Sequence, residues 1–238
     1  MKYVYNKKVN VTADHANTQA ELSITGAFTY QQEMVTEFLA NLKKDNVALK
    51  NDYNCAWVFT KCHAEFVQYP EWNDNLIMES SFVSIKSGKL VIKTELRSAS
   101  TDNLRCRFYL EMCVINRDTR RIVRLSSINF PSDAEWKEES IVFDTPVDEY
   151  DSVIKRPVLY SDFDMTRHVN NVAYLRFISD SLGLEFFDKY HIITLDIHYK
   201  SEIKPGSEIE VYKKMGESRA DFKISKDNEE AALVIITY

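Results

Sequence analysis

Residues 160–177 read YSDFDMTRHVNNVAYLRF, and they place a cluster of polar groups directly before an amphipathic pattern. Apolar residues at helical spacing continue from there to about residue 190: Val172, Leu175, Ile178, Leu182 and Phe186. This pattern predicts a helix over about 170–190 that begins near Val169 or Asn170. Because one capping residue is enough to begin a helix, the stretch carries more polar side chains than its structure requires.

The same order of elements occurs earlier in the chain. A helical stripe without glycine or proline covers residues 28–45, after Gly26. Strand-like segments follow it: CAWVFTKCHAEFVQY, LIMESSFVSI and KLVIKTELRS around the turn KSG, and a hairpin over 103–130 with NRDT at its turn. The second helix is likewise followed by HIITLDIHYKSEI, SEIEVYKKM, RADFKIS and AALVIITY. A helix followed by strands, twice, predicts an α+β fold of two tandem units, each with its helix on one face of an antiparallel sheet.

Residues 131–157 differ from the segments on either side. They contain Pro131, Pro146 and Pro157 beside the acidic runs DAEWKEES and VDEYD. Such a composition is typical of a linker. The predicted domains are therefore residues 1–130 and residues 158–238, and the polar cluster lies in the second.

Composition limits the classes of function. A net charge of -6 argues against general binding to nucleic acid or to an anionic membrane. No apolar run approaches the roughly 20 residues that a membrane helix needs. The first residues, MKYVYNKKVNVT, lack the apolar stretch of a signal peptide. We expect a cytoplasmic protein with neither nucleic acid nor membrane as a partner.

The four cysteines, Cys55, Cys62, Cys106 and Cys113, form no C-x-x-C pair. Cys62 and His63 lack a second ligand cluster, and the HAE at 63–65 lacks the P-C-x-x-C partner of zinc deaminases. We predict reduced, half-buried strand cysteines without catalytic chemistry, and no metal site.

The polar cluster contains the components of acyl transfer. Unpaired N–H groups at a helix N-terminus, here near residues 169–171, can stabilise an oxyanion. Asp164 beside them would act as nucleophile or general base, and His168 would orient it or carry a proton. The alternative is that Asp164 or Thr166 only caps the helix, while His168 packs beneath it. Two asparagines in the first turn, Asn170 and Asn171, exceed what a cap requires.

Four segments resemble, in order along the chain, the acyl-acyl-carrier-protein thioesterases of plant plastids and their bacterial relatives. They are VQYPEWNDNLIMESSF, INRDTRRIVRLSS, the pattern D-x-D-x-x-x-H-V-N-N-x-x-Y-L at 162–175, and LDIHYKSEIKPGS. The resemblance implies a tandem hotdog fold, in which each of two long helices is wrapped by an antiparallel sheet. It also implies hydrolysis of the thioester between a fatty acyl chain and carrier-protein phosphopantetheine, without a cofactor.

Site residues are carried over one at a time. The family's catalytic Asp falls on Asp164, its His on His168 and its Glu on Glu202. Thr166 stands where the family usually has Asn, and Ile203 stands where plant members often have Cys. A cysteine nucleophile therefore finds no support. Asn170 and Asn171 are expected to bind substrate or to bridge the domains.

Two further assignments concern residues around this set. Asp162 is expected to order the loop rather than to react. Strand alternation groups Glu202 with Asp196, His198 and Lys200, so a solvated strand face would explain the pattern equally well.

Two other functions fit the same residues. An acyl-CoA thioesterase would share Asp164 and recognise a different carrier, and a hotdog module could bind acyl chains without hydrolysing them. The expected protein partner is acyl carrier protein, which is acidic. The segment RDTRRIVR supplies a local charge of +3, though a solvated hairpin face often has such a run. Acyl chain length and homodimerisation are left open.

Overall fold

The computed structural model describes residues 3–86, 88–131, 143–147 and 149–238. It divides into two compact units. Unit 1 comprises Met1–Cys62 and Val67–Val142, and unit 2 comprises His63–Phe66 and Phe143–Tyr238. Both units combine helices with antiparallel strands, which confirms the predicted α+β class. Among the described residues, no helix is both long and apolar enough to cross a membrane.

Unit 1 is built on a sheet with the strand order β1-β3-β4-β5-β2, and β6 pairs with β5. The strands are β1 (Val4–Asn10), β2 (Cys55–Phe66), β3 (Asn75–Lys86), β4 (Lys89–Ser98), β5 (Leu104–Asn116) and β6 (Ile122–Val123). The pairs β3–β4 and β5–β6 are the two predicted hairpins. Gly88 adopts a φ of 81° at the first turn, while its neighbour Ser87 lies outside the described residues. The segment β1 was not predicted as a strand.

The long helix of unit 1, α1 (Ile24–Asn41), begins and ends earlier than the sequence pattern indicated. Ser23 caps it, because its Oγ accepts a hydrogen bond from the Gly26 N–H at 3.0 Å. Gly26 therefore lies inside the first turn, where a Cβ would come within 2.5 Å of the His15 carbonyl oxygen. The residues after Asn41 start a second helix, α2 (Asn46–Tyr53), which the sequence did not predict and which Asp45 caps.

The buried face of α1 contributes to the core of unit 1. Phe38 stacks on Phe82 of β3 with ring centroids 4.5 Å apart, and Phe28 meets Phe108 of β5 edge-on at 5.2 Å. Such pairs add to the stabilisation that burial of the aromatic surface provides. The predicted apolar stripe thus covers one face of the sheet.

Unit 2 has the strand order β8-β11-β10-β9-β7. Its elements are β7 (Ser152–Pro157), α3 (Asn171–Leu182), α4 (Leu184–Phe187), β8 (Thr194–Tyr199), β9 (Glu208–Met215), β10 (Arg219–Lys226) and β11 (Glu229–Thr237). The predicted single helix over 170–190 is interrupted at Gly183, which has a φ of 78°. The apolar residues of α3, including Leu175 and Ile178, are buried.

Part of the predicted linker is structured. Residues 152–157, which the sequence assigned to the linker, form β7 and pair with β9 at the edge of the sheet of unit 2. The β-branched pair Val153 and Ile154 favours a strand, although the prolines and acidic runs around it are typical of a linker. Residues 132–142 and 148 of the predicted linker lie outside the described residues.

Candidate active site

The loop between the 3-10 turn Tyr160–Asp162 and α3 folds back on itself. The Asp164 N–H donates to the His168 carbonyl at 3.0 Å, and the Arg167 N–H donates to the Asp164 carbonyl at 3.1 Å. Phe163 and Val169 form an antiparallel bridge, and Arg167 takes a φ of 65° at the tip. This reversal brings Asp164 and His168 together although three residues separate them in sequence.

Asp162 fixes the base of the loop, as expected. It is 3% exposed, and its Oδ2 accepts hydrogen bonds from the Leu159 N–H at 2.8 Å and from Arg156 Nη2 at 3.0 Å. Its carbonyl accepts from the Asn170 N–H at 2.8 Å. Arg176 Nη2 of α3 donates to the Ser161 carbonyl at 3.0 Å. The loop is therefore tied to β7 on one side and to α3 on the other.

Thr166 lies between Asp164 and His168 and contacts both. Asp164 Oδ1 accepts from the Thr166 N–H at 2.8 Å and from Thr166 Oγ1 at 2.5 Å. The same Oγ1 lies 3.1 Å from His168 Nδ1. A hydroxyl can donate one hydrogen bond and accept another, so it can bridge a carboxylate and an imidazole N–H. Asp164 Oδ2 has no hydrogen-bond donor within the described part of the chain.

Glu202 completes the predicted set on the other side of the imidazole. Its Oε2 lies 3.5 Å from His168 Nε2, and the two side chains are 32% and 40% exposed respectively. Glu202 follows the end of β8 rather than lying within it. Its segment is held by a bond from the Val169 N–H to the Ile203 carbonyl and by Lys226 Nζ, which donates to the Glu202 carbonyl.

The solvated strand face considered from the sequence is wrong for Asp196 and His198, because both are buried in β8. His63 Nδ1 contacts Asp196 Oδ1 at 3.0 Å, and the ring of Phe143 meets that of His198 edge-on at 6.0 Å. Alternation correctly placed these two residues on one face of the strand. It gave no information on what covers that face.

Asn170 caps α3, so the alternative that Asp164 or Thr166 caps this helix is wrong. Its Oδ1 accepts from the Val172 N–H at 2.9 Å. The N–H groups of Val169 and Asn170 are also occupied, by the carbonyls of Ile203 and Asp162. Of the three backbone donors predicted for an oxyanion, only that of Asn171 has no acceptor among the described residues. The Asn171 carbonyl accepts from Tyr199 Oη at 3.3 Å.

The cysteines are more deeply placed than predicted. All four are free and buried, rather than half-buried. Burial raises the pKa of the Cys106 thiol to about 12, against a smaller opposing effect of Arg105. A thiol with such a pKa remains protonated near neutral pH, so it is a poor nucleophile.

Sequence reasoning missed Arg156. Its guanidinium contacts Asp162 and Asp180, each at 3.0 Å, and its Cζ lies 4.4 Å from the centre of the Phe177 ring. These partners lie in the 3-10 turn and in α3, whereas Arg156 lies in β7, a strand within the segment that was predicted to be a linker. No local signal in the sequence indicates that Arg156 contacts these residues.

Comparisons with known proteins assign the chain to a family. The sequence matches the acyl-ACP thioesterase N-terminal domain over residues 2–127 and the C-terminal domain over residues 147–237. The chain belongs to the acyl-ACP thioesterase family. An oleoyl-acyl carrier protein thioesterase of Arabidopsis thaliana chloroplasts is 27% identical over 169 residues, which are 61% of this chain and 44% of that protein. The chain thus matches less than half the length of this relative.

Solved structures of the family share the fold over nearly the whole chain. An acyl-ACP thioesterase from Bacteroides thetaiotaomicron is 14% identical with a TM-score of 0.84, covering 99% of this chain and 97% of that one. A 12:0-ACP thioesterase from Umbellularia californica is 16% identical with a TM-score of 0.85, covering 99% and 96%. These likenesses confirm the tandem hotdog fold that the resemblance implied.

Proposed function

We propose that this acyl-ACP thioesterase family member hydrolyses fatty acyl thioesters of acyl carrier protein. The products are a free fatty acid and the carrier-protein thiol. The observation that carries the proposal is the continuous line of contacts from Asp164 through Thr166 and His168 to Glu202. Family membership and the named activity of the plant relative support the class of substrate.

Asp164 Oδ2 is the reacting atom in this proposal, since Oδ1 is held by Thr166. As a general base it takes a proton from a water molecule while the water oxygen bonds to the thioester carbonyl carbon. The tetrahedral intermediate then collapses, the C–S bond breaks, and the sulfur leaves with a proton. As a nucleophile, Oδ2 itself bonds to the carbonyl carbon, the C–S bond breaks as the sulfur leaves with a proton, and water then hydrolyses the resulting anhydride. Single turnover in ¹⁸O-water separates the two, because only the anhydride route can place label in Asp164.

The other members of the line position Asp164 and move protons. Thr166 donates to Asp164 Oδ1 and accepts from His168 Nδ1–H, which fixes the ring. His168 Nε2 faces Glu202, so an oxygen that can accept a hydrogen bond lies beside each ring nitrogen. We assign His168 the delivery of a proton to the leaving sulfur. The N–H of Asn171 is the donor available for the oxyanion.

The test compares the two carriers on one acyl chain. Purified protein is given the acyl-carrier-protein ester and the coenzyme A ester, and free thiol is measured over time. We expect a kcat/KM at least about tenfold higher for the carrier-protein ester, a difference of about 1.4 kcal/mol. A preference for the coenzyme A ester would make the chain an acyl-CoA thioesterase. Absence of thiol from both would make it an acyl-binding module. The cytoplasmic location and the homodimer stay predictions.

A further inference from the structure

The catalytic loop exposes large apolar side chains. Tyr160 and Met165 are each 96% exposed, and Leu159 is 52% exposed. Asp162 lies between them and is buried, so it anchors the segment to the rest of unit 2, while the apolar side chains face solvent. Single exposed apolar residues are ordinary, but several in one short loop that also carries the reactive carboxylate indicate a binding surface.

Two cations border these apolar groups. Arg167 occupies the tip of the loop, and Lys204 follows Ile203, whose carbonyl is bonded to the Val169 N–H. Both are exposed, and neither forms an ion pair with a described residue. Most other cations near the loop are already paired, as Arg156 is with Asp162 and Lys226 with Glu229. We call Tyr160, Met165, Arg167 and Lys204 the loop-tip surface.

We infer that the loop-tip surface is where the carrier protein docks. This inference rests on the proposed function, because a thioester arm that reaches Asp164 requires its protein to lie beside the same loop. An apolar centre with a charged rim is the usual arrangement of a protein interface. The positive charges of Arg167 and Lys204 complement an acidic partner, and such complementarity raises the rate of association. The acyl chain itself would not be held by groups that are almost fully open to water.

Substitutions in the loop-tip surface should separate docking from chemistry. Met165→Gln, Arg167→Glu and Lys204→Glu should each raise KM for the acyl-carrier-protein ester about tenfold while kcat stays near wild type. They should leave kcat/KM for the acyl-pantetheine ester unchanged, since that neutral substrate has neither a carrier protein nor the phosphates of coenzyme A. The affinity of unacylated holo-carrier protein, measured by fluorescence anisotropy, should fall by the same factor.

Matched controls lie past the other end of α3, a helix of 12 residues and therefore about 18 Å long. Leu184→Gln and Lys189→Glu make the same kinds of change at exposed positions there. They should alter neither KM nor carrier affinity.

Three results would overturn the inference. The first is carrier affinity that is equal in the loop-tip variants and the controls. The second is an equal loss of kcat/KM on both esters, which would mean that the substitutions disturb the loop itself and not the docking of the carrier. The third is a change of oligomeric state on size exclusion, which would mean that a second copy of the chain covers the surface. A wild-type protein that binds carrier through these residues but releases no thiol would reject the proposed hydrolysis while the docking surface stands.

Discussion

Thr166 offers one hydroxyl where an asparagine would offer a separate amide donor and carbonyl acceptor. Its Oγ1 lies 2.5 Å from Asp164 Oδ1 and 3.1 Å from His168 Nδ1. Thr166→Val keeps the shape and the backbone bond from residue 166 to Asp164, but it removes this bridge. We predict a fall in kcat of about tenfold, as for one lost hydrogen bond. Thr166→Asn should keep or raise activity.

The two interpretations of Thr166 differ in what the valine variant loses. If the hydroxyl only stabilises the loop, the melting temperature falls and kcat stays normal. Measuring both quantities on the same preparation decides between them, and an unchanged kcat contradicts the positioning role.

The cysteines provide a second prediction at the scale of residues. Because all four are buried and burial raises the pKa of Cys106 to about 12, the native protein should react slowly with a maleimide. Hydrolysis should continue while any labelling proceeds, as followed by mass spectrometry and thiol release. Inactivation that tracks the labelling of one cysteine, with the circular dichroism spectrum unchanged, would restore a thiol mechanism.

At this scale the sequence was most informative where the contacts are local. Asp164, Thr166 and His168 could be grouped from sequence because one tight loop brings them together. The cap by Asn170 and the burial of Asp196 could not be assigned. The cap depends on where the chain enters α3, and the burial depends on residues distant in sequence.

Among the elements, β7 and α3 hold the loop through one buried carboxylate. Asp162→Asn keeps the size of the side chain but weakens the bonds from Arg156 and the Leu159 N–H. Loss of one partner of a buried ion pair costs about 3–5 kcal/mol. We predict a lower melting temperature and, well below it, a kcat reduced about tenfold or more because Asp164 is no longer held in place.

Asp180→Asn is the matched control for that variant. Asp180 binds the same arginine at the same distance of 3.0 Å, but its side chain is 69% exposed. An exposed pair contributes little, so activity and stability should stay near wild type. If Asp162→Asn keeps full kcat per folded molecule, the anchor has only a structural role.

His63 at the end of β2 makes the stability of unit 2 depend on pH. Burial lowers its pKa, but the hydrogen bond and the negative charge of Asp196, with the charge of Glu65, outweigh burial and raise it overall. The contact between His63 and Asp196 therefore stabilises unit 2 fully when the pH is below the pKa of His63 in the unfolded chain, about 6.5. This stabilisation is lost as the pH rises through the higher pKa that His63 has in the folded protein. The cost of His63→Gln in unfolding free energy should accordingly shrink as the pH rises.

Denaturant unfolding of the wild type and of His63→Gln at several pH values checks this dependence. The same substitution at His191, which is exposed, controls for the loss of a histidine. A cost that stays constant, or grows, with rising pH would contradict the assignment.

Elements were predictable where one periodicity extended over many residues. The β3–β4 hairpin and the start of α3 follow from alternation and helical spacing. The predicted start of α1 was wrong because a glycine such as Gly26 is typical of a helix break. Here the glycine is needed because the backbone of α1 lies close to the His15 carbonyl. The short elements α2 and β7 depend on caps and on a neighbouring strand, so their own sequences do not specify them.

For the molecule as a whole, the repeated order of helix and strands predicted two tandem α+β units, and the family resemblance implied that these units are hotdogs. The position of the boundary was less predictable. Residues Phe143–Val147 of the predicted linker belong to unit 2, where the Thr145 carbonyl accepts from Arg219 Nη2 at 2.7 Å and the Val147 N–H donates to Asp221 Oδ1 at 3.3 Å. These bonds join residues more than 70 positions apart. Composition alone could not show them.

The central claim is that the Asp164 carboxylate drives thioester hydrolysis, and one variant tests it most directly. Asp164→Ala removes the reacting oxygen from an exposed loop whose base is held by Asp162, so the fold should survive. The measurement is kcat for thiol release from the acyl-carrier-protein ester, with the melting temperature and holo-carrier affinity as controls. We predict a loss of at least about 10²-fold in kcat with both controls near wild type. Turnover above half of the wild-type value would contradict the mechanism.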